Sequence, residues 1–344
     1  MLISVVVATY NRLGLLLELL TDLAGQRLPA GSFEVIVVDD GSKVPVRPRI
    51  LERSWPFSIQ VVERPNGGQA VARHQGITHA NGDIVVITDD DMALHEDFLA
   101  AHRDLHAEGY EVVLGQIRNP EDLTNKPIFE RFHAAQLDRF VASMRSGDPI
   151  PGAALCTGNV SFRRDLYLKV GGFDLTLKRS EDRDLGIRFK KAGARFAFSE
   201  RAYTVHRSDH SDRAVWLRRA YLYGAYDTRI GRKYAGDGYN DSFHYLAIAN
   251  PIARPLLLGA ALAPKPAGVV SRAVLDVAER IAKVGLERAA IKATTLVYGL
   301  EYYRGVRSEF TSTSQLLGGI LDFLRKDAAF ARTEPAPAQT DDTR

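Results

Sequence analysis

Over its first ninety residues the chain alternates short β-branched apolar runs with segments whose leucines or alanines recur at helical spacing. The runs are Leu2–Ala8, Phe33–Val38, Ile59–Glu63 and Asp83–Thr88. Unbroken hydrophobicity of this kind suits strands buried on both faces. Between them, Leu15, Leu16, Leu19, Leu20 and Leu23 define a helix face behind a candidate N-cap, Asn11. Gly67–Ala80 supplies a second helix, with Ala70, Val71, Ile77 and Ala80 apolar. A β-α-β-α order predicts a parallel sheet covered by helices. Ligands in such sheets sit at the carboxyl ends of the strands. Two acidic clusters fall there, Asp39–Asp40 and Asp89–Asp90–Asp91.

Further along, Tyr110–Gln116 and residues 194–205 read as strands, and Pro127–Met144, Asp165–Gly171 and Glu181–Lys191 as helices. From Ala214 the chain is mainly helical, in stretches over 214–233, 242–262, 268–304 and 313–330. The expected organisation is an α/β domain over 1–212, a helical region over 213–332 and a polar, proline-bearing, disordered tail over 333–344. Lys and Arg number 45 and Asp and Glu 42, so the net charge is 45 − 42 = +3, too balanced to argue for nucleic acid. The single cysteine, Cys156, excludes an internal disulfide and a Cys-rich zinc site, and fits a reducing, cytoplasmic setting. The N-terminus lacks the basic segment of a signal peptide. The nearest approach to a spanning helix, Tyr245–Ala263, carries Pro251, Arg254 and Pro255, and reads instead as an interfacial or packed stretch.

Several residue groups could carry chemistry. Three adjacent carboxylates, Asp89 to Asp91, repel one another unless a divalent cation relieves the cost, and oxygen ligands suit Mg²⁺ or Mn²⁺. An Asp-rich turn capping a helix near His95 is the plainer alternative. Asp39 and Asp40 could accept from a base N–H or a ribose hydroxyl, or could serve as an Asx turn. Asn66–Gly67–Gly68 precedes a helix, where backbone amides favour anions, and Arg73 could reach a phosphate. Asp182 opens a helix after a Gly-Gly loop and suits a general base, or merely the helix dipole. His206 follows a strand and is either structural or a metal ligand.

In this order the stretches VVVATYNR (5–12), VIVVDDGS (35–42), NGGQAVARHQG (66–76), GDIVVITDDD (82–91), CTGNVSFRR (156–164), GGFD (171–174) and SEDRDLGIRFKKAG (180–193) resemble glycosyltransferase family 2. The resemblance spans residues 2 to about 210. Ala8 stands where the family usually has Pro, and His74 where it usually has Asn. It implies a GT-A, Rossmann-like, mostly parallel sheet flanked by helices, with a helical C-terminal extension. It implies further that Thr9, Tyr10, Asn11 and Arg12 flank the nucleotide, and that Asp39 or Asp40 contacts the base. Asn66, Gly67, Gly68 and Arg73 would line the nucleotide and diphosphate pocket, with Asp89, Asp90 and Glu181 also on the donor side. Asp91, Asp89 and His206 would hold the metal, Mn²⁺ or Mg²⁺. Gly158 and Asn159 would sit beside the transferred sugar, and Asp182 would be the catalytic base.

The function implied is inverting, metal-assisted transfer of a sugar from a nucleoside-diphosphate sugar, a UDP-sugar ahead of GDP- or dTDP-sugars. The acceptor hydroxyl would belong to a glycan, a lipid-linked or a small-molecule acceptor, in polysaccharide, glycolipid or other glycoconjugate synthesis. A catalytically silent sugar-nucleotide-binding scaffold is the alternative. No nucleic-acid partner is expected. Residues 245–330 mix apolar runs with Arg254, Lys265, Arg272, Arg280, Lys283, Arg288 and Lys292, a pattern open to core packing, a homodimer interface or peripheral contact with the inner face of a membrane.

Overall fold

A computed structural model of the chain describes residues 1–29, 31–145, 147–207, 212–235 and 242–330, with side chains to 325. The expected tail over 333–344 lies outside the described residues. The chain divides into two compact units, Met1–Asp212 and Arg213–Arg344.

The first unit contains β1 (Ile3–Thr9), α1 (Leu13–Ala24), β2 (Phe33–Asp39), α2 (Arg47–Leu51), β3 (Ser58–Glu63), α3 (Gln69–Thr78), β4 (Ile84–Thr88), β5 (Met92–Leu94) and α4 (Phe98–Ala107). It continues with β6 (Val112–Arg118), α5 (Ile128–Met144), β7 (Asn159–Arg163), α6 (Arg164–Lys169), α7 (Glu181–Lys191) and β8 (Phe196–His206). The strands form one sheet in the order β3-β2-β1-β4-β7-β6-β8-β5. β1 runs parallel to β2 and β4, β2 to β3, and β6 to β8, while β7 opposes β4 and β6 and β5 opposes β8. This is the GT-A-like arrangement, a mixed, mostly parallel sheet flanked by helices.

Side chains alternate across a strand, so each central strand feeds two cores. Val5, Val7, Val35, Val37, Ile84 and Val86 pack with Leu16, Leu19, Leu20 and Leu23 of α1. Val6, Ile36, Val38, Val85 and Ile87 pack with Ala72 and Ile77 of α3. α3 lies so close to β1 that a Cβ on Gly76 would come within 2.4 Å of Val6 Cγ1. Burial on both faces accounts for the unbroken apolar runs.

The second unit is helical: α8 (Arg213–Lys233), α9 (His244–Ile248), α10 (Arg254–Leu262), α11 (Pro264–Lys283), α12 (Glu287–Ser308) and α13 (Thr313–Phe330). α8 and α12 touch backbone to backbone, where a Cβ on Gly224 or Gly305 would lie 1.9 Å from the carbonyl oxygen of Tyr302 or Tyr221. The stretch expected over 268–304 is two helices, broken at Gly285, whose φ is +81°. The stretch over 242–262 is likewise split, between α9 and α10. Among the described residues no helix is long and apolar enough to cross a membrane.

Candidate active site

The expected acidic residues meet at the carboxyl ends of β1, β2 and β4 and at the first turn of α7. Thr9, closing β1, donates from Oγ1 to Asp90 Oδ2 at 2.7 Å. Arg12 Nη1 reaches Asp91 Oδ2 at 2.8 Å and Asp90 Oδ1 at 3.3 Å. His206 Nε2, at the end of β8, lies 3.6 Å from Asp91 Oδ2. On the other side Arg73 of α3, only 3% exposed, donates to Glu181 Oε1 at 2.9 Å and to Asp89 Oδ1 at 2.5 Å. Gln69 Nε2 adds a third contact, to Glu181 Oε1 at 2.6 Å. One guanidinium thus ties the β4 acidic turn to the helix that carries Asp182.

The electrostatics divide these carboxyls by task. Burial pushes Asp90 up to about 6, although the Thr9 hydrogen bond and Arg12 oppose it. Burial also raises Asp91, but the His206 hydrogen bond and charge, with Arg12, outweigh it and hold that carboxyl well below the usual range. Burial lowers His206, yet Asp91 overrides this and raises it. Asp182 is pushed up to about 6, first by burial and then by the charge of Glu181, with Arg73 and Arg183 pulling the other way. A base poised in that range is ionised at neutral pH and still accepts a proton readily. Burial, reinforced by Asp182 and Asp89, raises the Cys156 thiol to about 12, so it is inert there.

Four buried polar atoms of this region have no hydrogen-bond partner among the described residues: Arg73 Nε, Thr88 Oγ1, Asp91 Oδ1 and Glu181 Oε2. Such atoms are rare in folded proteins and mark where an outside group completes the network.

Other expectations need correction. Arg73 does not offer its guanidinium to a diphosphate, because both terminal nitrogens are committed to Glu181 and Asp89. The Gly67 and Gly68 amides do not face an open phosphate site, since they donate to the Asp40 carboxylate at 3.0 and 2.8 Å. Arg64 also pairs with Asp40, and Asn66 Nδ2 donates to its carbonyl at 3.0 Å. Asp40 therefore organises the 64–68 loop between β3 and α3. Asp39 takes the Ser42 and Val46 amides at 2.9 and 3.2 Å, one on each oxygen. Asn11 does not cap α1: its φ is +56°, and its Oδ1 accepts from Lys43 N at 2.8 Å, lacing together the loops that follow β1 and β2. Tyr10 is exposed at the rim. Gly158 abuts the turn, its would-be Cβ 3.5 Å from Asp89 Oδ2. Asn159 is turned inward: its amide donates to Gln116 O and Ala202 O and its Oδ1 faces His102 Nε2 at 3.0 Å, so its side chain is structural.

Sequence reasoning missed Gln69, Arg64 and Thr88. Gln69 and Thr88 lie inside the quoted motifs but carry no charge to single them out. Arg64 stands outside every motif.

Of the three expected metal ligands, Asp91 and His206 lie side by side, while Asp89 is drawn toward Arg73. Among the described residues the group with three potential ligand atoms within 4.8 Å is His95, Glu96 and Asp97. There Glu96 and Asp97 already pair with Arg27. The donor set at Asp91 nevertheless fits a divalent ion: a carboxylate ionised even under acidic conditions, a buried oxygen with no partner, and an imidazole alongside.

Residues 4–171 match the family described as glycosyl transferase family 2. They form a family 2 glycosyltransferase domain. The chain is similar to an uncharacterised glycosyltransferase, YwdF, of Bacillus subtilis, 28% identical over 199 residues, which cover 56% of this chain and 69% of that one. It is 28% identical over 241 residues to the pre-mycofactocin glycosyltransferase of Mycobacterium tuberculosis, covering 64% of this chain and 46% of the relative. Among solved structures, a mannosyltransferase of Pyrobaculum calidifontis in complex with GDP-Man and Mn²⁺ superposes with a TM-score of 0.62 at 24% identity, covering 90% of this chain and 88% of the other. TarS of S. aureus in complex with UDP-GlcNAc gives 0.55 at 19% identity, covering 90% and 91%. These likenesses agree on the glycosyltransferase fold.

Proposed function

We propose that this glycosyltransferase moves a sugar from a nucleoside-diphosphate sugar to an acceptor hydroxyl in a single inverting displacement, with Asp182 as the base. The observation that carries the reading is Asp182 itself: a carboxyl with its proton affinity raised to about 6, one residue from the Arg73–Glu181 pair that reaches the β4 acidic turn. Asp182 takes the acceptor proton as the hydroxyl oxygen attacks the anomeric carbon. Base assistance of this kind contributes roughly 10²–10⁴-fold. Arg73 keeps Glu181 and Asp89 in register around that base, and its pair with Glu181 is closed to water. Arg12, about a quarter exposed, is the cation best disposed to meet a departing diphosphate. Tyr10 at the rim offers a ring for the nucleobase, and Asp39 keeps acceptor capacity beyond its two amides.

Asp91 with His206, and Asp89 across the turn, would hold a divalent cation, Mn²⁺ or Mg²⁺. When bound, such an ion neutralises diphosphate charge and favours departure of the leaving group. The neighbours in complex with GDP-Man and Mn²⁺ and with UDP-GlcNAc support a nucleotide-sugar donor of this class. We favour a UDP-sugar over GDP- and dTDP-sugars, with glycoconjugate synthesis as the setting.

The test is a panel of UDP-, GDP- and dTDP-sugars with and without Mn²⁺, followed by thermal shift and by product formation. A ligand at a hundred times its Kd adds about 2.7 kcal/mol of stability. Asp182→Asn keeps the shift and loses the product. An Asp182→Asn protein that turns over normally refutes the assignment of the base.

A further inference from the structure

Among the described residues the second unit exposes far more large apolar side chains than the first: 14 of the 20 that lie open belong to residues after 212. Five of these, Val269, Val270, Val277, Val284 and Leu286, lie on α11 and the turn that follows it. One face of α11 is covered, through Ala267, Ser271, Leu275 and Ala278. The opposite face is also apolar. Pro266, Val270, Ala273 and Val277, then Val284 beyond the helix end, are exposed at steps of four, three and four, with Arg280 the one interruption. Such spacing lines one side of a helix. At the turn to α12, Val284 is 72% and Leu286 59% exposed.

Charge decides what this face can meet. Arg272, Arg280, Lys283 and Arg288 are exposed beside the stripe and the turn. The acids of α11 do not offset them, because Asp276 is paired with Arg213 at 2.6 Å and Glu279 is half-buried. At the N-terminal end of α11 a cavity of about 300 Å³ is lined by Lys265, Arg304, Arg307 and Ser308 between Tyr221 and Phe310. Arg304 is paired with Glu301 and donates from Nε to Pro264 O at 2.7 Å, which leaves Lys265 and the buried Arg307 Nε, without a hydrogen-bond partner among the described residues, to meet an anion. An apolar stripe edged by exposed basic side chains, with a cleft at one end that offers Lys265 and Arg307 Nε, matches a surface of acyl chains beneath anionic headgroups.

We infer that the outer face of α11, with the Val284–Leu286 turn, docks on an anionic lipid surface, the basic cleft receiving a headgroup phosphate. This does not depend on the transfer reaction proposed above. Each basic residue near such a surface strengthens binding about fivefold.

The test is co-sedimentation of the full chain with vesicles of phosphatidylcholine alone or with phosphatidylglycerol added, at low and high salt. The expected result is binding that needs the anionic lipid and weakens with salt. The Arg280→Ala/Lys283→Ala double variant should lower the partition coefficient roughly thirtyfold. Val277→Glu/Val284→Glu should abolish binding with the melting temperature unchanged. If that variant fails to fold, the basic double variant carries the test alone. Absence of binding, equal binding to both vesicles, or a basic double variant that binds like the parent overturns the inference. A dimer by light scattering that Val277→Glu/Val284→Glu splits, without vesicle binding, assigns the face to a second copy of the chain and also overturns it.

Discussion

Arg73→Met removes the guanidinium that joins the helix carrying Asp182 to the acidic turn. Glu181 is only 1% exposed, its Oε2 is already unpaired, and the substitution leaves it Gln69 alone. Breaking a buried ion pair from one side costs about 3–5 kcal/mol, because the remaining charge has neither water nor a partner. Asp89, whose carboxylate is more than a third exposed, adds little, since water replaces the lost contact. For a unit of this size 1 kcal/mol shifts the melting temperature by about 2–4 °C, so a loss of roughly 6–20 °C is expected. Removing both charges, as in Arg73→Met/Glu181→Met, should recover most of it, because replacing a complete buried pair with apolar groups is often neutral. The assay is urea denaturation of the parent, both single variants and the double variant, read as a double-mutant cycle. A single Arg73→Met cost below about 1 kcal/mol, or a double variant no better than the single, would refute the view that Arg73 is a structural tie rather than a free phosphate ligand.

Three further outcomes follow from the same geometry. Transfer should rise with pH through about 6 as Asp182 ionises, and Glu181→Gln should move that limb downward by removing a neighbouring negative charge, as rate profiles at saturating donor would record. Asp91 has its folded value lowered, so it stabilises above the unfolded carboxylate range and loses this as pH falls, whereas raised His206 stabilises below the unfolded imidazole range and loses this as pH rises. The stability gap between the parent and His206→Gln, measured with a chelator present, should therefore be widest near pH 5 and close in alkali. Gly186→Ala would set a Cβ 2.0 Å from Gly152 O and should cost about 1–3 kcal/mol in thermal unfolding, while Gly318→Ala in α13 meets nothing within 4 Å and should not destabilise.

The sheet was legible where burial is two-sided. β1, β2 and β4 announce themselves as continuous apolar runs because helices cover both faces. β7 does not, since Asn159 and Ser161 interrupt it and both are buried. What makes that burial tolerable is a polar match from another element: Ser161 Oγ lies 2.8 Å from both His102 Nδ1 and His106 Nε2 of α4. A partner more than fifty residues away leaves no local trace in the sequence. The same reason separates the legible part of the site from the rest. Strand-terminal position singled out Asp89 to Asp91 and Asp39–Asp40, and first-turn position singled out Asp182. The commitment of Arg73 to Glu181, 108 residues away, and of Asp40 to Arg64 is a tertiary fact. The start of α5 was read to within a residue because Pro127 marks it. The break at Gly285 escaped because a single glycine inside a periodic stretch does not by itself end a helix.

Proton NMR of the transfer reaction, following the anomeric signal for the parent chain and for Asp182→Asn, reads both the stereochemistry and the role of Asp182. With the donor and metal found by the thermal-shift panel, the parent should give product of anomeric configuration opposite to the donor. Asp182→Asn should give none while the donor remains bound. Product with the donor's own configuration, or turnover by Asp182→Asn at the parent's rate, would contradict the account.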